Sequence, residues 1–432
     1  MELYAHQERA LKATMGFNRC AYYLDMGLGK TFVGAEKMHR LDEPVNLVIC
    51  QKSKIDDWVE HFNYWYDNMW AFDITKPKAM DDFMAMPIGM DPVVGVINYE
   101  LAFRRPELTR LVGFTLMLDE SSMIQNENAK RSKFILSLNP KNVILLSGTP
   151  TAGKYENLWS QLHLLGWNIS KELYWKQYVE TEWIEEASGF KIPHVIGYKN
   201  VDRLKMKLAD HGAVFMKTED AWKLPQTRAV EVDVKPTKEY REFMKNDIVT
   251  VRDPAGKEIE LIGDTTLTKR LYARQLCGHL NPHKLEAFED LIMGTSDRLI
   301  VFYNFNAELE ELTKIAVKKS PHISVMNGSM KDMRAYEEMD DSITFIQYQA
   351  GAMGLNLQKA NKIIYFTLPE RSELFEQSKK RIHRIGQDHS CFYYYLLCKG
   401  TVEMDVLATL EMRKDYSDNL FKGYAKKEEH ND

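Results

Sequence analysis

Short apolar runs rich in β-branched and aromatic residues recur along the chain, separated by stretches of helical period. The first series is Tyr22 to Leu24, Leu47 to Cys50, Val93 to Ile97, Phe114 to Leu118 and Val143 to Leu146. Strands that alternate with helices predict a parallel sheet, because a parallel neighbour needs a crossover long enough to hold a helix. A second series follows: Leu299 to Tyr303, Ile323 to Met326, Ile343 to Ile346, Ile363 to Phe366 and Phe392 to Leu397, with helical segments such as Ala307 to Lys318 between them. The pattern occurs twice and predicts an α/β chain of two parallel-sheet domains in tandem. The expected organisation is a first domain over 1–165, helical insertions over 166–230 and 231–298, a second domain over 299–425 and a charged tail over 426–432. A turn is expected at Asp253-Pro254-Ala255-Gly256.

At 432 residues the chain can bury a core in each domain. Its net charge of −5 argues against a protein that coats nucleic acid by bulk attraction. A local basic groove is compatible with that total, since binding follows local potential; Lys52, Lys54, Arg104, Arg105, Lys379, Lys380, Arg381 and Arg384 are its candidates. Cys20, Cys50, Cys277, Cys391 and Cys398 form no Cys-x-x-Cys pair and no metal-ligand spacing, which predicts a reducing, cytoplasmic setting. No run reaches membrane-spanning length and no secretory segment opens the chain, so no membrane partner is expected.

Asp25-Met26-Gly27-Leu28-Gly29-Lys30-Thr31 follows a predicted strand and opens a predicted helix, as a phosphate loop requires. Met26 to Gly29 would curl their backbone N–H groups around phosphates. Lys30 would neutralise phosphate oxygens of ATP, and the Thr31 hydroxyl would ligate Mg2+. The strict pattern wants glycine at position 24, where Leu24 stands. Leu116-Met117-Leu118-Asp119-Glu120 ends an apolar strand in two carboxylates: Asp119 can hold Mg2+ through water and Glu120 can deprotonate the attacking water. Alone, such a pair is more often a solvated strand end; an upstream phosphate loop reverses that reading. Ser147-Gly148-Thr149 after the next strand suits sensing of the γ-phosphate. Downstream, Arg381 and Arg384 stand three apart, expected on one helical face, and two guanidinium groups so placed suit a phosphate.

In order and content these segments resemble the Swi/Snf-like branch of superfamily 2 helicases, from Leu3 to about Val406. The resemblance implies two RecA-like domains that hydrolyse ATP between them. It identifies Gln7 in Tyr4-Ala5-His6-Gln7 with the family's adenine reader. Lys52 and Ser53, followed by Trp58, and Asn98 with Tyr99 are similar to motifs that touch the nucleic-acid backbone. In the second half, Ile300 to Tyr303 resembles motif IV and Asn327-Gly328 the loop after the next strand. Ala350 to Leu357, with Gly354 on the nucleotide and Asn356 on nucleic acid, resembles motif V, and Arg381 to Gln387 resembles motif VI. The chain departs from the family at Asp119-Glu120-Ser121-Ser122, where relatives carry a histidine at the fourth position, with Ser122 or Gln125 as possible substitutes. It departs again at Met216 to Asp220, where relatives carry paired arginines. By themselves all eight tryptophans, Trp58 included, read as packing residues rather than base-stacking platforms.

The expected function is an ATP- and Mg2+-dependent DNA translocase, a helicase-type ATPase tracking duplex DNA through its phosphates without sequence preference; the sequence leaves protein partners open. The rivals are a strand-separating helicase or fork and junction remodeller, and a nucleotide-gated DNA-binding module with weak turnover.

Overall fold

The computed structural model describes residues 2–86, 91–185, 191–252, 256–351 and 355–421. Gly354, the turn residues Asp253 to Ala255 and the tail Lys426 to Asp432 lie outside the described residues. The chain divides into two compact units, Met1–Ala221 with Asp415–Asp432, and Trp222–Lys414.

The first unit contains β1 (Arg19–Leu24), β2 (Val45–Cys50), β3 (Trp70–Asp73), β4 (Val93–Asn98), β5 (Thr115–Asp119), β6 (Asn142–Ser147), β7 (Val179–Glu185), β8 (Lys191–Tyr198) and β9 (Ala213–Met216). Seven strands form one sheet in the order β3-β4-β2-β5-β6-β1-β9, with every pairing parallel. All residues of β4 and β6 are buried. A parallel sheet is covered on both faces, which is why these strands read as unbroken apolar runs rather than alternating ones. Three helices fix the working edge of this sheet: α1 (Ala5–Ala13), α2 (Lys30–Leu41) and α3 (Ile55–Trp65). α2 lies close on the sheet at Gly34, where a Cβ would come within 2.7 Å of Leu146 and 2.9 Å of Met117. α3 buries Ile55, Trp58 and Phe62, one stripe at helical spacing. β7 and β8 stand apart as an antiparallel hairpin.

The second unit contains β10 (Thr227–Val234), β11 (Ile248–Arg252), β12 (Glu258–Ile262), β13 (Leu299–Tyr303), β14 (Ile323–Met326), β15 (Lys331–Asp332), β16 (Ile343–Gln347), β17 (Lys362–Tyr365) and β18 (Cys391–Cys398). Its sheet runs β10-β18-β17-β13-β16-β14-β15, parallel except for the terminal β14–β15 pair. The ten apolar runs of the sequence are the ten inner strands of the two sheets. The helix expected from Ala307 spans Asn306–Lys319. β11 and β12 pair antiparallel on either side of the predicted turn.

The interval between the two series holds helices, the two hairpins and the edge strands β9 and β10. The last described residues return to the first unit: Leu420 is fully buried in its core, and the Tyr155 hydroxyl donates to the Tyr416 carbonyl at 2.7 Å.

A candidate nucleotide site at one edge of the first sheet

In an all-parallel sheet every strand ends at the same edge, so the segments after β1, β2, β4, β5 and β6 are gathered there by topology alone. Pairing places Tyr23 beside Ser147, Asp119 beside Leu146, Ile49 beside Leu118 and Cys50 beside Asn98. The phosphate-loop candidate, the Asp119-Glu120 pair, the Ser147-Gly148-Thr149 turn and both first-half nucleic-acid candidates therefore line one edge.

Gly27 and Gly29 take φ of 88° and 73°, left-handed values that let the loop turn back before α2 begins at Lys30. A Cβ on Gly29 would collide with Gln7 Nε2. Gln7 turns its amide to the loop: Nε2 donates to the Leu28 carbonyl at 3.3 Å, while Oε1 accepts from Tyr4 N at 2.9 Å. His6 Nε2 lies 3.1 Å from the same Leu28 carbonyl, and burial lowers its pKa. The base of the loop is tied to β9, since Asp25 N donates to the Met216 carbonyl at 3.0 Å and Asp25 Oδ2 accepts from both N and Oγ1 of Thr218. Met216 and Thr218 thus hold the loop. Lys30 Nζ sits at the loop mouth, 3.1 Å from the Leu24 carbonyl and 3.4 Å from that of Asp25. A Cβ on Gly148 would lie 3.3 Å from this ammonium, so the turn after β6 packs directly against it.

Asp119 Oδ2 accepts from the Trp58 indole N–H at 2.9 Å. Burial raises the Asp119 pKa; the Trp58 bond and the charges of Lys30 and Lys54 oppose that rise. Glu120 takes a left-handed φ of 54°, unusual for a side-chain-bearing residue, and its Oε2 accepts from Ser147 Oγ at 3.3 Å. Lysine, two carboxylates and a glycine-lined loop at a helix N-terminus form a donor set that fits a magnesium nucleotide. The absence of side chains at Gly29 and Gly148 lets the Gln7 amide and the Lys30 ammonium take their places at the loop.

Ser122 is buried at 3% exposure and its hydroxyl has no hydrogen-bond partner among the described residues, while Gln125 accepts from Asn157 at 3.0 Å. The polar link from this turn runs through Ser121 instead. Its Oγ donates to Gln161 Oε1 at 2.7 Å, Tyr23 donates to the same oxygen, and Gln161 Nε2 donates to the Pro150 carbonyl at 2.8 Å. Gln161 joins three of the edge segments and had no local sequence signature.

Of the first-half nucleic-acid candidates, Lys52 and Ser53 are exposed in the single turn Lys52–Lys54. Trp58 is 1% exposed and Tyr99 fully buried, so neither ring has a face to offer a phosphate; Asn98 is 7% exposed.

In the second unit Asn327 is largely buried, donating to the Tyr303 hydroxyl at 3.2 Å and accepting from Ser329 N and Met330 N, while Gly328 is exposed. Arg381 and Arg384 do not share a helical face. The helix ends at Lys379, and the following residues form turns closed by Gly386 at φ 90°. Arg381 is 2% exposed with Nη1 3.5 Å from the Leu355 carbonyl; Arg384 is half-buried and donates to Asn356 Oδ1 at 2.6 Å. Gln387 Nε2 lies within hydrogen-bond distance of the Gln358, Ala360 and Ile382 carbonyls, knitting the two segments together. The segments expected as motifs V and VI are one interlocked surface, and packing of Ile382 and Arg381 beneath it replaces the expected helix.

Among the described residues no helix is long and apolar enough to cross a membrane. The SNF2-related domain model matches residues 15–281, and the helicase conserved C-terminal domain model matches 283–386. The chain is 22% identical over 433 residues to the mouse SWI/SNF-related matrix-associated actin-dependent regulator of chromatin subfamily A member 1, covering 90% of this chain and 40% of that protein. It is also 22% identical over 437 residues to the mouse DNA annealing helicase and endonuclease ZRANB3, covering 95% and 40%. It thus spans about 40% of the length of these curated relatives. The Sulfolobus solfataricus SWI2/SNF2 ATPase core in complex with dsDNA aligns over 98% of this chain and 94% of its own, at 18% identity and a TM-score of 0.42. With more than half its length matched by the SNF2-related domain model, the chain belongs to the SNF2 family of superfamily 2 helicase-like ATPases.

Proposed function

We propose that the chain hydrolyses ATP with Mg2+ and uses the turnover to translocate along duplex DNA, holding phosphates and not reading bases. The observation that carries this reading is the convergence, on one sheet edge, of Lys30, Asp119, Glu120 and Ser147 with the exposed Lys52-Ser53 turn. Met26 to Gly29 and Lys30 bind the phosphates, with Gln7 on the base side; Gly354, also expected on the nucleotide, lies outside the described residues. Thr31 and Asp119 would hold Mg2+, which when bound neutralises charge on the phosphates. Glu120 orients the attacking water and accepts its proton, with Ser147 fixing the direction of the carboxylate. Of the two arginines expected to stabilise charge on the transferred phosphoryl group, Arg384 is the proposed contact, and Arg381, buried beneath the surface with Nη1 on the Leu355 carbonyl, is proposed to hold that segment in place. Lys52, Ser53, Asn98, Asn327, Gly328 and Asn356 are the proposed backbone contacts, and Trp58 and Tyr99 act from beneath the first-unit turns that carry Lys52, Ser53 and Asn98.

The test is steady-state ATP hydrolysis without nucleic acid and with duplex DNA, single-stranded DNA or single-stranded RNA, with Lys30→Ala as the blank. Stimulation chiefly by duplex DNA supports translocation along duplex. Preference for single strands turns the reading to strand separation, and turnover that none of them changes rejects a nucleic-acid-driven motor.

A further inference from the structure

Strands β4, β2 and β5 are neighbours in that order, and their ends bring Asn98, Cys50 and Asp119 side by side. From each of the two outlying strand ends, an aromatic side chain passes under the surface to the Asp119-Glu120 turn. After β2 the chain makes the exposed turn Lys52–Lys54 and enters α3, whose Trp58 donates its indole N–H to Asp119 Oδ2 at 2.9 Å. After β4 it enters the turn Tyr99–Ala102, where the Tyr99 hydroxyl lies 2.9 Å from the Asp119 carbonyl oxygen and 3.4 Å from that of Glu120.

Neither ring has freedom to relax independently. Trp58 stacks on Phe62 at 5.8 Å and meets His61 edge-on at 6.2 Å, so it moves with α3. Tyr99 is fully buried beside the strand end. A buried carboxylate is sensitive to the placement of its donors, because in a low-dielectric surrounding each hydrogen bond carries more of its charge than in water. A displacement of a fraction of an ångström reaches the Asp119 carboxylate from the Lys52–Lys54 turn through Trp58, and the Asp119-Glu120 main chain from the Asn98 turn through Tyr99.

We propose that Trp58 and Tyr99 are positioning residues that transmit nucleic-acid contact at the Lys52–Lys54 and Asn98 turns to Asp119 and the backbone of Glu120, setting their geometry for the magnesium nucleotide. This rests on the reading of the edge as a nucleic-acid-dependent nucleotide site. The two links divide the work: Trp58 acts on the side chain of Asp119, and Tyr99 on the main chain that aims Glu120.

The experiment is equilibrium binding of a fluorescent ADP analogue with Mg2+ to the full chain, with and without duplex DNA. The readout is the factor by which duplex changes nucleotide affinity; linkage requires the same factor for the effect of nucleotide on duplex affinity. Trp58→Phe removes the indole donor, Tyr99→Phe removes one oxygen, and Phe62→Leu loosens the packing of α3 while keeping the Trp58 N–H. Both donor variants should lose about fivefold or more of the factor, or fall to unity where it is smaller, as expected for a hydrogen bond to a buried, charged turn. Phe62→Leu should lose thermal stability and only a minor part of the factor, less than either donor variant, because the Trp58 bond to Asp119 remains. A factor present in the unmodified chain and unchanged in Tyr99→Phe and Trp58→Phe overturns the proposal and leaves the function intact. If Phe62→Leu abolishes the factor as fully as the donor variants, general packing and not the two bonds carries it, and the proposal fails. A unit factor in the unmodified chain, with turnover indifferent to duplex, removes the functional reading itself and the proposal with it. Should Trp58→Phe fail to fold, Tyr99→Phe decides alone.

Discussion

Gly29 shows how narrow the tolerance at the nucleotide edge is. Its φ of 73° disfavours any side chain, and a Cβ would enter the space of the Gln7 amide, so two independent penalties fall on one substitution. Gly29→Ala should cost about 1–2 kcal/mol from the left-handed backbone alone. It should also lower affinity for a magnesium nucleotide more than it lowers thermal stability, because it displaces both Gln7 and the loop; titration beside a melting curve separates the two. Glu120→Gln should keep nucleotide affinity while slowing hydrolysis at least ~100-fold, as expected when a positioned proton acceptor is lost; single-turnover kinetics would show it. His61 makes a pH prediction. Burial among aromatic rings lowers its pKa from 6.5 to about 4. The unfolded chain then binds the proton more readily than the folded one, so stability is fully present above about 6.5 and falls as pH drops toward 4. Thermal unfolding at pH 7.5 and pH 5 should show this acid-side loss, and His61→Phe should reduce it.

At the scale of elements, the second unit is pinned by a buried ion pair. Lys284, in the helix Pro282–Met293, meets Glu403, in the helix Val402–Phe421, with side chains 0% and 5% exposed. Glu403 also accepts from Cys398 N at 2.8 Å, so one carboxylate ties two helices to the end of β18. Removing one charge strands the other in the interior: Lys284→Met should destabilise the unit by about 3–5 kcal/mol. Chemical denaturation would measure that, and replacing both partners by apolar residues should recover much of the loss. The elements least visible in the sequence were the edge strands. β9 is four residues long, and β10 is mostly exposed and mixes charged with apolar residues, so each becomes a strand only by pairing with a distant one, β1 and β18 respectively. The short turns after Lys379 escaped for a related reason. A run with helical spacing stops being helical where Gly386 and the burial of Arg381 and Ile382 draw it under a neighbouring loop.

For the whole molecule, the division into units does not follow the order of the chain. Residues 415–421 belong to the first unit although nearly two hundred residues of the second precede them. Leu420 is fully buried there, Phe421 packs edge-on against Phe215 at 5.1 Å, and Lys217 pairs with Asp418 at 2.6 Å. Leu420→Ala should therefore destabilise the first unit by about 2–5 kcal/mol. Limited proteolysis would locate that loss at cleavage sites before Ala221 and not in the second unit. Ending the chain after Lys414 should act in the same direction and more strongly.

Local chemistry was enough to determine from the sequence the ten inner strands, their parallel arrangement and the places of the glycine-bearing strand-to-helix turn before Lys30 and of the two carboxylates at the end of β5. A doubly covered strand must be apolar throughout, and a phosphate loop needs glycines at a strand-to-helix turn. The tertiary structure alone decided which long-range partners those residues take: Trp58 on Asp119, Thr218 on Asp25, Gln161 across three segments, and the last described turn, with Leu420, in the core of the first unit. Each is a contact between residues far apart in sequence. A hydrogen-bond donor such as an indole or an amide leaves no periodicity or spacing that says which distant acceptor it will meet, because that choice is made only when the sheet brings strand ends together.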